Sequence, residues 1–173
     1  GDISSWDVSG VTSMNFMFYE ASSFNQDLSS WDVSNVTDMY AVFANTNFNQ
    51  DLSTWDVSGA TNMSYTFYQS SFNQDLSTWD VSGVNFMTGM FQGALSFDQD
   101  LSTWDVGNVE NMLDMFDGVT LSPSNYEATL NGWSSLSSLQ TNVSFHGGNS
   151  QYCDASGRNI LTETYDWTIT DGG

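Results

Sequence analysis

Hydrophobic and polar positions recur along the chain with a period of 24 or 25 residues. A tryptophan marks each of five copies, at Trp6, Trp31, Trp55, Trp79 and Trp104. Within the second copy, Leu28, Trp31 and Val33 are apolar, and the last two alternate with polar residues. This spacing predicts a short β-strand in each copy. A fixed period of this length is typical of proteins built from stacked repeats.

After each predicted strand, the apolar positions change to steps of three and four residues, which predicts one or two helical turns. In the second copy these positions are Val36, Met39, Val42, Phe43 and Thr46. One strand and one helical return cannot cover their own apolar face, so equivalent residues should stack in columns. We therefore expect a right-handed α/β solenoid of leucine-rich-repeat type, with a parallel β-sheet of about five strands on one face. Tryptophan should point inward, and the aspartate that follows it outward.

Residues 121–173 break the period. We expect them to form a small α+β cap, continuous with the repeats of residues 1–120, that shields the open end of the stack. Ser124 and Glu127 have the spacing of a capping box, which predicts a helix from Tyr126 to about Leu139. A strand at 143–145, a second helix capped by Asp154, and a strand at 167–169 complete this prediction.

The charge of the chain excludes several classes of partner. Twenty-one acidic residues face one arginine and no lysine, giving a net charge of −20. Nucleic acids and anionic membrane surfaces are bound through Lys and Arg, so neither is an expected partner. No run of about 18 apolar residues indicates a membrane-spanning helix. Such an acidic surface suits a saline, extracellular environment, where salt screens the repulsion. Gly1 already lies inside a repeat, so we expect the chain to be part of a larger modular protein.

Ten of the aspartates fall in two rows. The Trp-adjacent row follows each tryptophan and contains Asp7, Asp32, Asp56, Asp80 and Asp105. The Leu-adjacent row precedes each Ile or Leu and contains Asp2, Asp27, Asp51, Asp75 and Asp100. Stacked strands lie about 4.8 Å apart, and unit charges at that separation repel by about 0.9 kcal/mol in water. Three alternatives can offset this repulsion: solvent together with local hydrogen bonds, bound divalent cations, or a bound ligand.

The Trp-adjacent row is the predicted ligand-binding face. Its neighbours on the predicted strand carry short hydroxyl groups, at Ser30, Thr54, Thr78 and Thr103 on one side and at Ser34, Ser58 and Ser82 on the other. Carboxylates and hydroxyls at regular spacing suit sugar hydroxyls or the basic patch of a protein. The only candidate cofactor is calcium, which takes carboxylate ligands, between repeats at Asp27, Asp51, Asp75 and Asp100.

Catalysis finds little support in the sequence. His146 is the only histidine and Cys153 the only cysteine, and no third group is evident to orient them as a base and nucleophile. Equivalent aspartates on a regular face are not a differentiated acid and base. We expect Arg158 to pair with a nearby acid. Asn25, Asn49 and Asn73, each followed by glutamine, predict amide ladders that hold the loops in register.

The repeat resembles that of the BspA-like leucine-rich-repeat surface proteins of bacteria. The resemblance rests on Trp-Asp-Val-Ser-Asn-Val-Thr-Asp-Met at 31–39, Phe-Asn-Gln-Asp-Leu-Ser at 24–29 and Met90-Phe91. Segments 125–133, 147–153 and 167–173 resemble the C-terminal unit of such proteins from marine bacteria. The resemblance implies a secreted or surface-anchored, non-enzymatic protein that adheres to a protein or glycan on a cell or matrix surface. A carbohydrate-binding module and a structural spacer in a larger adhesin are the alternatives.

Overall fold

The computed structural model describes all residues, 1–173, and has four regular elements. They are helix α1 (Pro123–Ser134), strand β1 (Ser144–His146), helix α2 (Ser156–Thr164) and strand β2 (Thr168–Thr170). β1 and β2 pair in parallel as a two-stranded sheet. No helix combines the length and the apolar character that crossing a membrane requires. All four elements lie in the C-terminal segment, and the five copies contain none.

The predicted leucine-rich-repeat solenoid is therefore wrong, beginning with its strands. The backbone N–H of Trp31 donates to the carbonyl of Leu28 at 3.0 Å, and that of Val36 to Val33 at 2.9 Å. Each closes a tight turn where a strand was predicted. Aspartates explain the difference, because a side-chain oxygen that accepts an N–H two residues later stabilises a turn. The alternation of Trp and Val arises from two consecutive turns rather than from a pleated strand.

The predicted helical returns are also wrong. In the second copy, Ala41 has φ +53° and Asn45 has φ +57°, and the equivalent pairs in the other copies likewise have positive φ. A right-handed helix cannot contain such residues, so each copy forms a chain of short turns. Apolar spacing of three and four residues fits these turns as well as a helix, which is why periodicity alone misled the prediction.

Backbone hydrogen bonds between successive copies run through this turn region. The N–H groups of Met39, Ala41, Phe43 and Asn45 donate to the carbonyls of Asn62, Ser64, Thr66 and Tyr68 at 2.7–3.0 Å. The same pattern of alternate N–H donors joins copy one to copy two, copy three to copy four, and copy four to copy five. Isolated parallel bridges mark one register line at Ser13, Asp38, Asn62, Phe86 and Asn111. The copies therefore stack in register without forming the expected sheet.

Aromatic side chains fill the interior in columns. Phe43 stacks on Phe67 with ring centroids 5.7 Å apart, and Phe67 stacks on Phe91 at 5.5 Å. The tryptophans of the second to fifth copies are 0–4% exposed, as predicted. Each donates its indole N–H to the Ile or Leu carbonyl of the preceding copy at 2.9–3.1 Å. Trp6 is 55% exposed, so the inward prediction is wrong for the first copy, where no preceding copy packs against the ring.

The C-terminal segment continues these columns. Trp133 of α1 donates its indole N–H to the carbonyl of Leu101 at 3.0 Å, as a further repeat would. The carbonyl of Ser144, in β1, accepts the N–H of Met112 at 3.2 Å. One cluster of 44 buried hydrophobic residues runs from Val8 to Trp167. The boundary at residue 120 and the capping role stay predictions.

Local predictions in this segment have mixed outcomes. The two strands are confirmed with a shift of one residue, and α1 begins three residues before the predicted start. The capping box is wrong, because α1 begins at Pro123 with no side-chain cap, and the Glu127 carboxylate accepts the N–H groups of Cys153 and Asp154 at 3.0 and 3.1 Å. The second helix is confirmed as α2, but its predicted cap is wrong, because Ala155 is the N-cap residue and no side chain caps the helix. Asp154 accepts the N–H and hydroxyl of Ser156. The fold that results brings a distant loop to Glu127.

Candidate functional site

The Trp-adjacent row lies on the surface, as predicted, and all five carboxylates are exposed. In the third copy, the Oδ1 atom of Asp56 accepts the N–H of Ser58 at 3.1 Å and its hydroxyl at 2.6 Å. The same pair of hydrogen bonds forms in the first, second and fourth copies. Asp105 accepts the N–H of Gly107 at 2.9 Å. One oxygen of each carboxylate is thus fixed by the chain, and Oδ2 remains toward solvent.

The hydroxyl groups beside this row already have partners. Thr54 donates its hydroxyl to the carbonyl of Ser29 at 2.8 Å, which links it to the preceding copy. Equivalent hydrogen bonds are made by Ser30, Thr78 and Thr103. On the other side, Ser34, Ser58 and Ser82 donate to their aspartates. The first set of hydroxyl protons links neighbouring copies and the second closes a turn within each copy, so the face offers mainly carboxylate acceptors to a partner.

Local hydrogen bonds outweigh repulsion along the row. The side-chain and backbone donors of Ser34 hold the pKa of Asp32 below its ordinary value, whereas the charges of Asp56 and Asp7 act in the opposite direction. Ser58 likewise lowers the pKa of Asp56. The carboxylates of Asp32 and Asp56 therefore stay ionised at neutral pH, and their charge is available at the surface.

The Leu-adjacent row follows the same rule. Asp27, Asp51, Asp75 and Asp100 each accept, through Oδ1, the N–H of the serine two residues later at 2.8 Å. No three His, Cys, Asp or Glu side chains converge in a way that could hold a metal ion. Calcium at these four aspartates stays a prediction, and the observed geometry gives each carboxylate a turn-capping role instead.

The predicted amide ladder is confirmed, with backbone donors added to it. The side-chain oxygen of Asn25 accepts the backbone N–H of Asn49 at 2.8 Å, and Asn49 accepts that of Asn73 at 2.8 Å. The side-chain amides of Gln74 and Gln99 donate to the side-chain oxygens of Asn49 and Asn73 at 3.0 and 2.7 Å. Both kinds of hydrogen bond join successive copies, and together they fix the loop that precedes each Leu.

The other residues singled out for chemistry have separate surroundings. Arg158 donates to the carboxylate of Asp171 at 2.9 Å, which confirms the predicted ion pair. His146 accepts the N–H of Gly148 through Nδ1, and its Nε2 lies 4.0 Å from a carboxylate oxygen of Asp117. Cys153 is exposed. The histidine and cysteine thus share no hydrogen-bonded partner that would orient them together.

The structure also reveals a surface that sequence reasoning missed. An open cleft of about 350 Å³, here called the aromatic cleft, is walled by Phe16, Tyr19, Tyr40, Tyr65 and Tyr68. Its floor consists of Ala41 and Ala44, which are 2% and 1% exposed. A signal existed in the repeat alignment, because Phe16 and Tyr65 occupy the position that is alanine, glycine or aspartate in the other copies. Aromatic residues at a position where the fold accepts small ones are not explained by core packing.

Comparison with known proteins identifies one matching protein family and no individual relative. No match to the chain is found among the curated proteins or among the solved structures. A family model described as "Mycoplasma protein of unknown function, DUF285" matches residues 1–71 and 46–154, which together span the five copies and most of the C-terminal segment. The chain therefore belongs to the DUF285 family.

Proposed function

We propose that the chain is a non-enzymatic recognition module of an extracellular bacterial surface protein of the BspA-like class. On this proposal it binds a protein partner on a cell or matrix surface through the Trp-adjacent row. The observation that carries the proposal is the row itself: five exposed carboxylates at regular spacing, each oriented by its own turn.

The charge of the row requires a basic partner. The chain has no lysine, and its one arginine, Arg158, is engaged by Asp171. The hydroxyl donors nearby are used within the repeats, so the free atoms are carboxylate oxygens. Opposite charge across an interface accelerates association and fixes its register. The basic patch of a protein is therefore the best chemical match, and a neutral glycan would find few donors here.

The absence of enzymatic activity is part of the same proposal. The aspartates of the row have equivalent surroundings in successive copies, and nothing separates an acid from a base among them. The resemblance of the repeat to that of BspA-like surface proteins favours recognition at a cell surface. A carbohydrate-binding module and a structural spacer are the competing functions.

The test compares two triple variants with the same change of charge. Asp32→Asn/Asp56→Asn/Asp80→Asn removes charge from the Trp-adjacent row, and Asp27→Asn/Asp51→Asn/Asp75→Asn removes it from the Leu-adjacent row. Asparagine keeps the Oδ1 acceptor, so the turns should persist in both. Binding of the chain is measured on immobilised, purified matrix proteins that carry basic patches, at several salt concentrations.

We expect salt-dependent binding that the first variant weakens by about tenfold, since each exposed charge pair contributes up to about 1 kcal/mol. The second variant should bind within about twofold of the wild-type chain if its row lies outside the contact. Equal losses in both variants would mean that net charge alone acts, which contradicts the proposal. Binding on a glycan array that both variants retain would favour the carbohydrate module. Failure to bind any protein or glycan would favour the spacer.

A further inference from the structure

The aromatic cleft is a second surface, built at residues outside the Trp-adjacent row. Copy one supplies Phe16 and Tyr19, three residues apart, with ring centroids separated by 5.4 Å at an interplanar angle of 85°. Copy three supplies Tyr65 and Tyr68, at 5.8 Å and 79°. Tyr40 stands between the pairs, 5.1 Å from Phe16 and 5.5 Å from Tyr65. The walls are therefore a set of rings held edge to face.

Differences in side-chain size between copies create the cleft. In copy two, Ala41 and Ala44 stand where copies one and three have their aromatic pairs, and they form the floor. In copy four, Gly89 has the equivalent position, and the Tyr65 ring lies over it so closely that a Cβ there would overlap the ring. The rings are thus supported by neighbouring copies and the cleft is formed before any ligand arrives, which lowers the entropic cost of binding.

The surroundings of the cleft are acidic. Hydrogen bonding and the charge of Glu20 raise the pKa of Tyr19. Burial raises the pKa of Tyr65, and the charge of Asp114 adds to the shift. At one end of the cleft, Gln92 donates its side-chain amide to Asp117 at 3.0 Å. No lysine exists in the chain, and Arg158 is bonded to Asp171, so the negative potential at the cleft is not neutralised by a basic side chain.

The side-chain amide donors beside the cleft are already engaged. The Gln92 amide donates to Asp117, and the Gln69 amide donates to the hydroxyl of Tyr68 at 2.9 Å. A neutral sugar that used these amides would have to displace their hydrogen bonds. The faces of aromatic rings instead attract cations, because the ring quadrupole is negative on its face. Aromatic walls and an acidic field together favour a ligand that is cationic and apolar.

We propose that the aromatic cleft binds a small, free organic cation with a quaternary ammonium head, of the choline type. The methyl groups of such a head contact the rings of Phe16, Tyr40 and Tyr65, and its charge lies in the field of Glu20 and Asp114. An open cleft of about 350 Å³ is large enough for this group and lies within the size range of small-ligand sites. A phosphocholine headgroup fits less well, because its phosphate is repelled by the same carboxylates.

The test is an NMR titration of the chain with four probes, following the amide signals of Ala41 and Ala44. The probes are choline, its uncharged isostere 3,3-dimethylbutan-1-ol, phosphocholine and a methyl glucoside. We expect choline to bind at least about tenfold more tightly than the isostere, the difference expected from cation–π contacts with several rings. Equal binding of the isostere, or tighter binding of phosphocholine or the glucoside, would overturn the assignment, as would the absence of choline binding.

Three variants make the result specific. Tyr40→Leu keeps apolar area but removes one of the three rings that contact the ammonium head, and should weaken choline binding by about three- to tenfold. Glu20→Gln removes an exposed charge at no risk to the core, and should weaken it by about two- to fivefold. Leu95→Ala, at a side chain that is 77% exposed outside the cleft, should leave it unchanged. An unchanged affinity in both cleft variants overturns the proposal.

The triple variant of the Trp-adjacent row separates this proposal from the proposed function. It should lose the basic protein partner and retain choline within about twofold. Absence of protein binding by the wild-type chain would refute the proposed function alone, and absence of choline binding would refute the cleft proposal alone.

Discussion

Replacement of Trp79 by phenylalanine tests the column of indole hydrogen bonds that joins the copies. Trp79 is 3% exposed and donates its N–H to the carbonyl of Leu52 at 3.0 Å. That carbonyl also accepts the N–H of Trp55 at 3.0 Å, so the variant leaves it with one partner. Loss of the indole hydrogen bond should cost about 1 kcal/mol. The smaller ring should cost about 1 kcal/mol more in apolar burial.

The total, about 2 kcal/mol, should lower Tm by about 4–8 °C in a chain of this length. Trp6→Phe is the matched control, because Trp6 occupies the same place in its copy and is 55% exposed. Its effect should stay within about 0.5 kcal/mol. Urea unfolding followed by far-ultraviolet circular dichroism measures both variants, and their midpoints compare stability when the slopes agree. Equal losses at Trp79 and Trp6 would refute the claim that packing against the preceding copy, rather than the motif itself, gives the indole its energetic role.

Three further predictions concern acid, metal and the C-terminal segment. Serine donors depress the pKa of Asp7, Asp32, Asp56 and Asp80, so the contribution of these carboxylates is present at neutral pH and is lost as pH falls through their folded-state pKa values. Tm should therefore fall between about pH 5 and pH 2, and Ser58→Ala should flatten that fall. A rising Tm on acidification would mean that relief of repulsion dominates. Removal of divalent cations with EDTA should leave Tm unchanged, since no three His, Cys, Asp or Glu side chains converge, and a rise of several degrees in millimolar calcium would contradict this. Tyr126→Phe removes a buried hydroxyl that donates to Asp171 at 2.9 Å and should cost about 1–3 kcal/mol in urea unfolding, whereas unchanged stability would show that Asp171 needs only Arg158.

Much of the candidate site was predictable from the sequence, because equivalent residues of successive copies occupy equivalent positions. The period placed Asp32 and its equivalents in a row and put them on the outside, because a strong repeat forces equivalent residues into equivalent environments. The roles of their hydroxyl neighbours were not predictable. Thr54 bonds to a carbonyl of the preceding copy, and this depends on how the copies dock. The aromatic cleft was not predicted for the same reason, since its lining residues come from copies one, two and three and meet only when the copies stack.

The sequence alone determined the number of copies, their period, the buried tryptophan, leucine and phenylalanine columns, and the two short C-terminal strands. These follow from which side chains avoid water, and repetition makes that signal strong. The tertiary structure decided the backbone path. Strand and helical turns were expected, yet Asp27 and Asp32 cap tight turns, and positive φ at Ala41 and Asn45 sends alternate N–H groups to the next copy. A periodic pattern records which positions are buried, whereas the partner of each backbone N–H is settled only when neighbouring copies meet.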